Sequence, residues 1–388
     1  MAAAGALVAG GAAMLGGGGG EPAAAPAGAA HGPLDLAPCR ALGDDAARAC
    51  YTDAFVAVVR GRDDPRPGVA AIADAAWKEG PGLVADCHGI MHTVGRRYAG
   101  DTGVTVGTLM AHLPQANDPG CTAGFAHGMV TAVAGEIDPE RPGDAARVCE
   151  ESATRYQEYS CVHGFGHAFM RLYGDQLDPA LELCTALGER VAADCAQGAY
   201  HDYWFAVVGA DDASLSGDAV RDPRALCRAA PAAYVRPCWY RAWLENRPAG
   251  FTVQAPEDLD GLCADLTGEH RPACITAAAV IGPPDPAEQL ALCARLASAR
   301  DAEACVRGTK VQNLVGERTA GFVVLVDRCG RFRPRVRGAC YRWLGKAVAV
   351  VTDGAFAQAG CPRLRSPAGR RACAAGAARI DEPLVTFS

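Results

Sequence analysis

The cysteines of this 388-residue chain recur at a regular spacing. Sixteen of the eighteen cysteines form eight pairs whose members lie 11 or 12 residues apart. From Cys161 onward, the second members of successive pairs are 31 to 43 residues apart, which is the length of a two-helix repeat. The spacing therefore predicts a series of short units, each closed by one covalent bond.

Disulfides explain these cysteines better than metal binding does. No C-x-x-C motif occurs, so zinc ribbons, ferredoxin clusters and c-type haem attachment lack sequence support. Eighteen cysteines are also too many for an ordinary cytosolic chain. Cys87 and Cys121 have no partner at the common spacing; the simplest assignment joins them to each other, and the alternative leaves two free thiols that bind metal. The predicted disulfides are Cys39–Cys50, Cys87–Cys121, Cys149–Cys161, Cys184–Cys195, Cys227–Cys238, Cys263–Cys274, Cys293–Cys305, Cys329–Cys340 and Cys361–Cys373.

Local signals predict helices around each cysteine pair. Asp-Pro dipeptides begin at residues 138, 178, 222 and 285, where Asp can cap a helix and Pro can occupy its first position. Apart from ambiguous runs such as GFVVLV at 321–326, no long alternating strand pattern occurs. A bridge of this length would join the two helices of one hairpin, worth about 2.5 to 3 kcal/mol in the loop-entropy model. We predict an all-α fold, a solenoid-like array of disulfide-stapled helical hairpins with about 31–43 residues per repeat.

Histidines share one position in three helices that follow a repeat cysteine, and a fourth helix carries the same pattern one residue closer to its cysteine, Cys87. The aligned pentapeptides are HGIMH at 88–92, AGFAH at 123–127, HGFGH at 163–167 and QGAYH at 197–201. The glycine three residues after the cysteine also recurs in later units that lack histidine, at Gly308 and Gly376. The glycine therefore belongs to the repeat, where it lets helices approach closely, and the histidines need a separate explanation.

The aligned histidines predict a metal site. Two histidines four residues apart lie one turn apart on the same face of a helix, as in H-E-x-x-H proteases, although the glutamate of that motif is absent here. Neighbouring helices pack about 8 to 10 Å apart, so imidazoles of adjacent repeats can meet. The alternative is a buried polar or pH-sensing network. The predicted metal ligands are His88, His92, His127, His163, His167 and His201.

Neutral imidazoles favour zinc, copper or iron over calcium or magnesium. Three histidines with an open position are typical of catalytic zinc, and six can build a dinuclear site, so a metal-dependent hydrolase or oxidoreductase is the predicted enzyme class. Residues close in sequence are candidates to ligate, to orient a histidine or to transfer protons. These candidates are Asp86, Asp194, Asp202 and Tyr200, followed by Glu150, Glu151, Tyr203 and His112.

Charge and motifs exclude several other functions. The chain has 44 acidic and 37 basic residues, with a net charge of −7, which argues against a nucleic-acid partner. No nucleophile elbow, Walker loop or dinucleotide-binding glycine motif occurs. The alternative to a metalloprotein is a scaffold that presents a concave face to a protein or peptide, with structural or pH-sensing histidines.

The N-terminus is typical of an exported chain. Residues 2–20 carry no charge and precede a Pro/Ala stretch, which predicts a signal peptide or a single membrane anchor, although the positive n-region is missing. A disordered Ala/Gly tail is the other interpretation. Together with the cysteines, this segment predicts a protein that is secreted or lies on the extracytoplasmic face of the membrane. The predicted divisions are an apolar segment and linker at 1–33, histidine-bearing repeats at 34–208, repeats without the motif at 209–378 and a C-terminal tail at 379–388.

Overall fold

The computed structural model describes seven stretches of the chain, at residues 34–114, 120–209, 223–245, 251–283, 285–309, 325–352 and 361–378. The predicted signal or anchor segment at 1–33 and the tail at 379–388 lie outside the described residues, as does most of the run at 321–326. The described residues from Asp35 onward belong to one compact unit. The predicted division at residue 208 stays a prediction.

Helices are the regular secondary structure of the described residues, and no strand occurs among them. The all-α prediction is therefore confirmed. Short 3₁₀ turns and a helical stretch at 325–330 accompany the α-helices. The α-helices are α1 (Ala37–Arg40), α2 (Asp44–Val59), α3 (Arg66–Glu79), α4 (Pro81–Thr102), α5 (Leu109–His112), α6 (Cys121–Ala132), α7 (Pro142–Ala146), α8 (Arg155–Leu172), α9 (Leu177–Ala186), α10 (Glu189–Gly209), α11 (Pro223–Ala229), α12 (Val235–Glu245), α13 (Pro256–Cys263), α14 (His270–Val280), α15 (Pro286–Ala294), α16 (Ala299–Arg307), α17 (Pro334–Thr352) and α18 (Pro367–Ala377).

Side-chain caps begin several of these helices. Asp285 accepts a hydrogen bond from the Ala287 amide at 2.8 Å, and Pro286 is the first residue of α15, as the Asp-Pro signal predicts. The same signal is wrong at two other positions. The Asp138 carboxylate accepts from the Glu140 amide within a turn, and Asp178 lies inside α9, after the first residue of the helix. A two-residue signal marks a chain reversal or a first turn without fixing which one forms.

Nine disulfides join neighbouring elements, in the pairs that the spacing predicts. Five of them join two successive α-helices, as Cys184 of α9 and Cys195 of α10 do. Cys149 and Cys361 instead lie in 3₁₀ turns that precede the stapled helix. Every cysteine is bonded, which removes the alternative of free, metal-binding thiols. Disulfides persist in oxidising compartments, so the nine bridges indicate an extracytoplasmic environment.

Helix α4, which carries Cys87, and the helices that carry the second cysteine of each later pair pack on one another in chain order. The contacts run from α4 to α6, α8, α10, α12, α14, α16, α17 and α18. In a strictly linear solenoid each repeat touches only its neighbours, but α17 also contacts α8. The solenoid arrangement therefore stays a prediction. In the described part of the chain, no helix combines the length and apolarity needed to span a membrane.

Two glycines show why these helices lie so close. A Cβ atom on Gly124 of α6 would lie 2.2 Å from the His88 carbonyl oxygen of α4, and one on Gly198 of α10 would lie 2.0 Å from that of His163. Such contacts are far inside van der Waals distance, so only glycine allows the observed backbone approach. Gly308 and Gly376 make equivalent contacts in later helices, which agrees with the structural role predicted for this position.

Candidate metal centre

Six imidazoles converge between four helices that pack on one another in turn, α4, α6, α8 and α10. His88 and His92 lie on α4, His127 on α6, His163 and His167 on α8, and His201 on α10. Each ring contacts at least three of the others, with centroids 4.5 to 6.1 Å apart. The structure thus brings together all six histidines that the alignment singles out. We call these six residues the histidine cluster.

The cluster consists of two similar modules. In the first, α4 supplies two histidines four residues apart and α6 supplies the third. In the second, α8 and α10 supply the same pattern, displaced by 74 or 75 residues along the chain. The glycine contacts are equivalent too, because Gly124 meets the His88 carbonyl as Gly198 meets the His163 carbonyl. The repeat therefore places two triads of imidazoles against each other.

Two sets of three histidines already have the spacing of a metal site. His88, His92 and His127 form one set, and His127, His163 and His167 form the other; within each set the candidate ligand atoms lie within 4.8 Å of one another. The second set is buried. In the first set, His88 Nε2 and His92 Nε2 are 3.2 Å apart, close to the roughly 3.3 Å that separates two nitrogens bound to one tetrahedral zinc ion. The buried histidines can hold a metal ion.

Three histidines of the cluster have a partner on one ring nitrogen and none on the other. His127 Nε2 is 3.1 Å from Ser160 Oγ, His167 Nδ1 is 2.9 Å from Asp202 Oδ1, and His201 Nε2 is 3.4 Å from Glu245 Oε1. The opposite nitrogens, His127 Nδ1, His167 Nε2 and His201 Nδ1, are buried and have no hydrogen-bond partner among the described residues. An unpaired buried polar atom is costly. Ligating histidines have this arrangement, because an outer partner orients the ring while the other nitrogen binds metal.

His163 differs from the other buried histidines because its partner can only donate a hydrogen bond. Arg241 Nη2 of α12 lies 3.4 Å from His163 Nε2, and a guanidinium can only donate. His163 Nε2 therefore accepts, and Nδ1 carries the proton. That Nδ1 is buried without a partner in the described part of the chain. Arg241 is itself 2% exposed and pairs with Glu245 at 3.1 Å.

Burial keeps most of the cluster uncharged. It lowers the pKa well below the ordinary imidazole value at His92, His127, His163 and His201. Neighbouring histidines and the positive charge of Arg241 lower the pKa of these four further. These imidazoles are therefore neutral at neutral pH, and the neutral ring is the form that binds a metal.

Among the candidate accessory residues, Asp202 lies beside the histidine cluster, where its carboxylate accepts a hydrogen bond from His167. Asp194 is wholly buried but forms an ion pair with Arg155, because a buried carboxylate needs the nearest cation. Asp86, Glu150 and Glu151 are exposed. Tyr200 is buried in the core, which raises its pKa, and Tyr203 packs on Trp204. His112 contacts the Tyr98 hydroxyl through Nδ1 at 2.9 Å.

Three residues at the cluster were not anticipated from the sequence, namely Ser160, Arg241 and Glu245. A signal for Arg241 was available. It stands three residues after Cys238, where the three preceding histidine helices have glycine, so a large cation interrupts the repeat at its packing position. Glu245 follows one turn later on α12. Neither Glu245 nor Ser160 departs from an ordinary amphipathic pattern.

A cavity of about 100 Å³ lies against the cluster on the side of Ser160. Residues of α6 and α8 line it, including Thr122, Ala126 and Tyr156. Ser160 lines the cavity and also contacts His127. This hydroxyl therefore connects the cavity to the cluster.

The chain matches no protein-family model, no curated protein and no solved structure with which it was compared. A function must therefore be assigned from the chemistry of the cluster itself. That chemistry is a set of six imidazoles with two carboxylates and one guanidinium at its margin.

Proposed function

We propose that this protein binds one or two transition-metal ions through the histidine cluster and works outside the cytoplasm. The observation that carries the proposal is the set of buried, unpartnered nitrogens on His127, His167 and His201, each opposite a nitrogen with an outer partner. Burying three such atoms without a ligand would cost free energy that metal coordination recovers.

The donor set limits the choice of metal. Imidazole nitrogens suit zinc, copper and iron, whereas calcium and magnesium require oxygen ligands. The two triads with metal-site spacing share His127. A single ion can use either triad, and two ions would have to divide the six imidazoles between them. An ion with an open position would activate water or dioxygen, so a metal-dependent hydrolase or oxidoreductase is the activity we propose. A secreted chain and one tethered by a segment before residue 34 both agree with an extracytoplasmic site.

Metal content tests this proposal directly. Protein folded in an oxidising compartment and exposed to zinc, copper and iron should retain one or two equivalents of metal by elemental analysis. The double variant His92→Ala with His167→Ala removes one imidazole from each module and should lose the metal. The variant His112→Ala, whose ring contacts Tyr98 outside the cluster, is the matched control and should retain it.

The opposite outcome favours the scaffold. Wild-type protein that retains no metal after this exposure would contradict the proposal. The cluster would then be a polar core, and a protein or peptide ligand on a concave face would become the better hypothesis. In that case the double variant would alter stability alone.

A further inference from the structure

The charge around the cluster is unusual for a site that binds cations. A metal ion repels a guanidinium, yet Arg241 is buried against one of the imidazoles. The nearest carboxylates are Asp202, on His167, and Glu245, on His201. These three charged side chains sum to one negative charge. One divalent ion would leave an excess of one positive charge, and two ions would leave an excess of three.

Excess positive charge in a buried site has to be balanced. Glu245 already pairs with Arg241 at 3.1 Å and lies 3.4 Å from His201, so its charge is shared between two partners. Asp202 is engaged by His167. Further positive charge is present near Asp202, because the half-buried Arg96 interacts electrostatically with both Arg171 and Asp202. An anionic ligand from solution can supply the missing negative charge.

The same region has donors for such a ligand. The Arg241 contact makes His163 Nδ1 the protonated nitrogen, and this N–H is buried with no partner among the described residues. Guanidinium groups recognise oxyanions through a planar fork of N–H donors. Arg241 also replaces the glycine that stands three residues after the cysteine in α6, α8 and α10. This gives α12 a cation where α6 and α10 have a glycine against a neighbouring backbone and α8 has one against Val130.

We propose that the metal-loaded cluster binds a small oxyanion, which accepts hydrogen bonds from Arg241 and from His163 Nδ1. This inference rests on the proposed metal centre and assigns the substrate or co-ligand class of that centre. His163 is then a donor to the anion and not a metal ligand, so it leaves the set of His127, His163 and His167. The other five histidines hold the metal. Oxygen atoms of the anion would share the metal and the guanidinium, which removes their mutual repulsion.

The test is a calorimetric titration of metal-loaded protein with inorganic phosphate at constant ionic strength. Wild-type protein should bind one phosphate per cluster, and the metal-free protein should bind it at least about tenfold more weakly. Arg241→Gln should retain its metal and lose about tenfold or more in phosphate affinity, because a charged hydrogen bond is lost. Arg241→Lys keeps the charge without the planar fork, and its phosphate affinity should lie between those of the wild-type protein and Arg241→Gln.

His163→Ala provides a second variant if loss of Arg241 prevents folding. It should keep the wild-type metal content and lose phosphate affinity; loss of metal instead would make His163 a ligand and overturn its role as donor. The matched control is Arg271→Gln, because Arg271 lies on α14 and pairs with Asp301. This variant should change neither the metal content nor the phosphate affinity. Metal-loaded wild-type protein that binds no phosphate overturns the inference but leaves the metal site intact. Wild-type protein that retains no metal contradicts the proposed function, and with it this inference.

Discussion

At the scale of single residues, the ring nitrogens carry the most information about function. A histidine in a satisfied core would have both nitrogens paired or one exposed. Here His167 has a carboxylate on Nδ1 and an unpartnered, buried Nε2 among the described residues. The carboxylate accepts the Nδ1 proton, which leaves the lone pair on Nε2 available to a metal ion. Asp202 is therefore expected to act on metal affinity through His167.

Asp202→Asn should lower metal affinity by about 10- to 100-fold, the usual effect of losing such a partner. The amide keeps the shape but lacks the charge that stabilises the ligating tautomer. Competition with a chelator of known affinity measures the change. Asp86→Asn is the control, because Asp86 is close to a cluster histidine in sequence but exposed in the structure. Equal affinities of the two variants would contradict a role for Asp202.

At the scale of helices, the glycine contacts set the distance between imidazoles. Gly124→Ala should separate α4 from α6, because its Cβ would lie 2.2 Å from the His88 carbonyl oxygen. Overpacking of this kind costs about 1 to 3 kcal/mol, and the displaced helix should also bind metal more weakly. Thermal unfolding with and without metal measures both effects. Gly82→Ala in the first turn of α4 meets nothing within 4 Å and should leave both values unchanged.

The Cys87–Cys121 disulfide also joins α4 to α6, one residue before His88. Replacing both cysteines with serine opens a loop of 34 residues, which costs about 4 kcal/mol in the loop-entropy model. The equivalent replacement of Cys361 and Cys373 opens a loop of 12 residues and costs about 3 kcal/mol. We expect the first double variant to lose metal affinity and the second to keep it. Equal metal affinity in both would show that this bridge does not position the site.

The helical and disulfide framework could be predicted because its signals are local. Two cysteines 11 or 12 residues apart meet most readily across a single hairpin, so spacing assigned eight of the nine pairs. Cys87 and Cys121 were then the two cysteines that remained. The histidines could be found because they share a register with those cysteines. Boundaries were predicted less well, as at Asp178, since a cap signal competes with neighbouring turns.

At the scale of the whole molecule, the site extends beyond the repeats that carry its motif. Arg241 and Glu245 reach the cluster from α12, across the boundary predicted at residue 208. Sequence spacing marks Arg241 as a departure from the repeat, but it does not show that α12 brings this side chain against the histidines. That placement follows from the packing of α12 on α10.

Metal binding should stabilise the whole fold, because four helices share the cluster. An ion that binds only the folded chain adds about 4 kcal/mol when its free concentration is a thousand times its dissociation constant. We expect the thermal midpoint to rise with zinc and to return to its starting value with a chelator, as followed by circular dichroism. The double variant His92→Ala with His167→Ala should show no rise. A rise of equal size in that variant would place the stabilising ion outside the cluster.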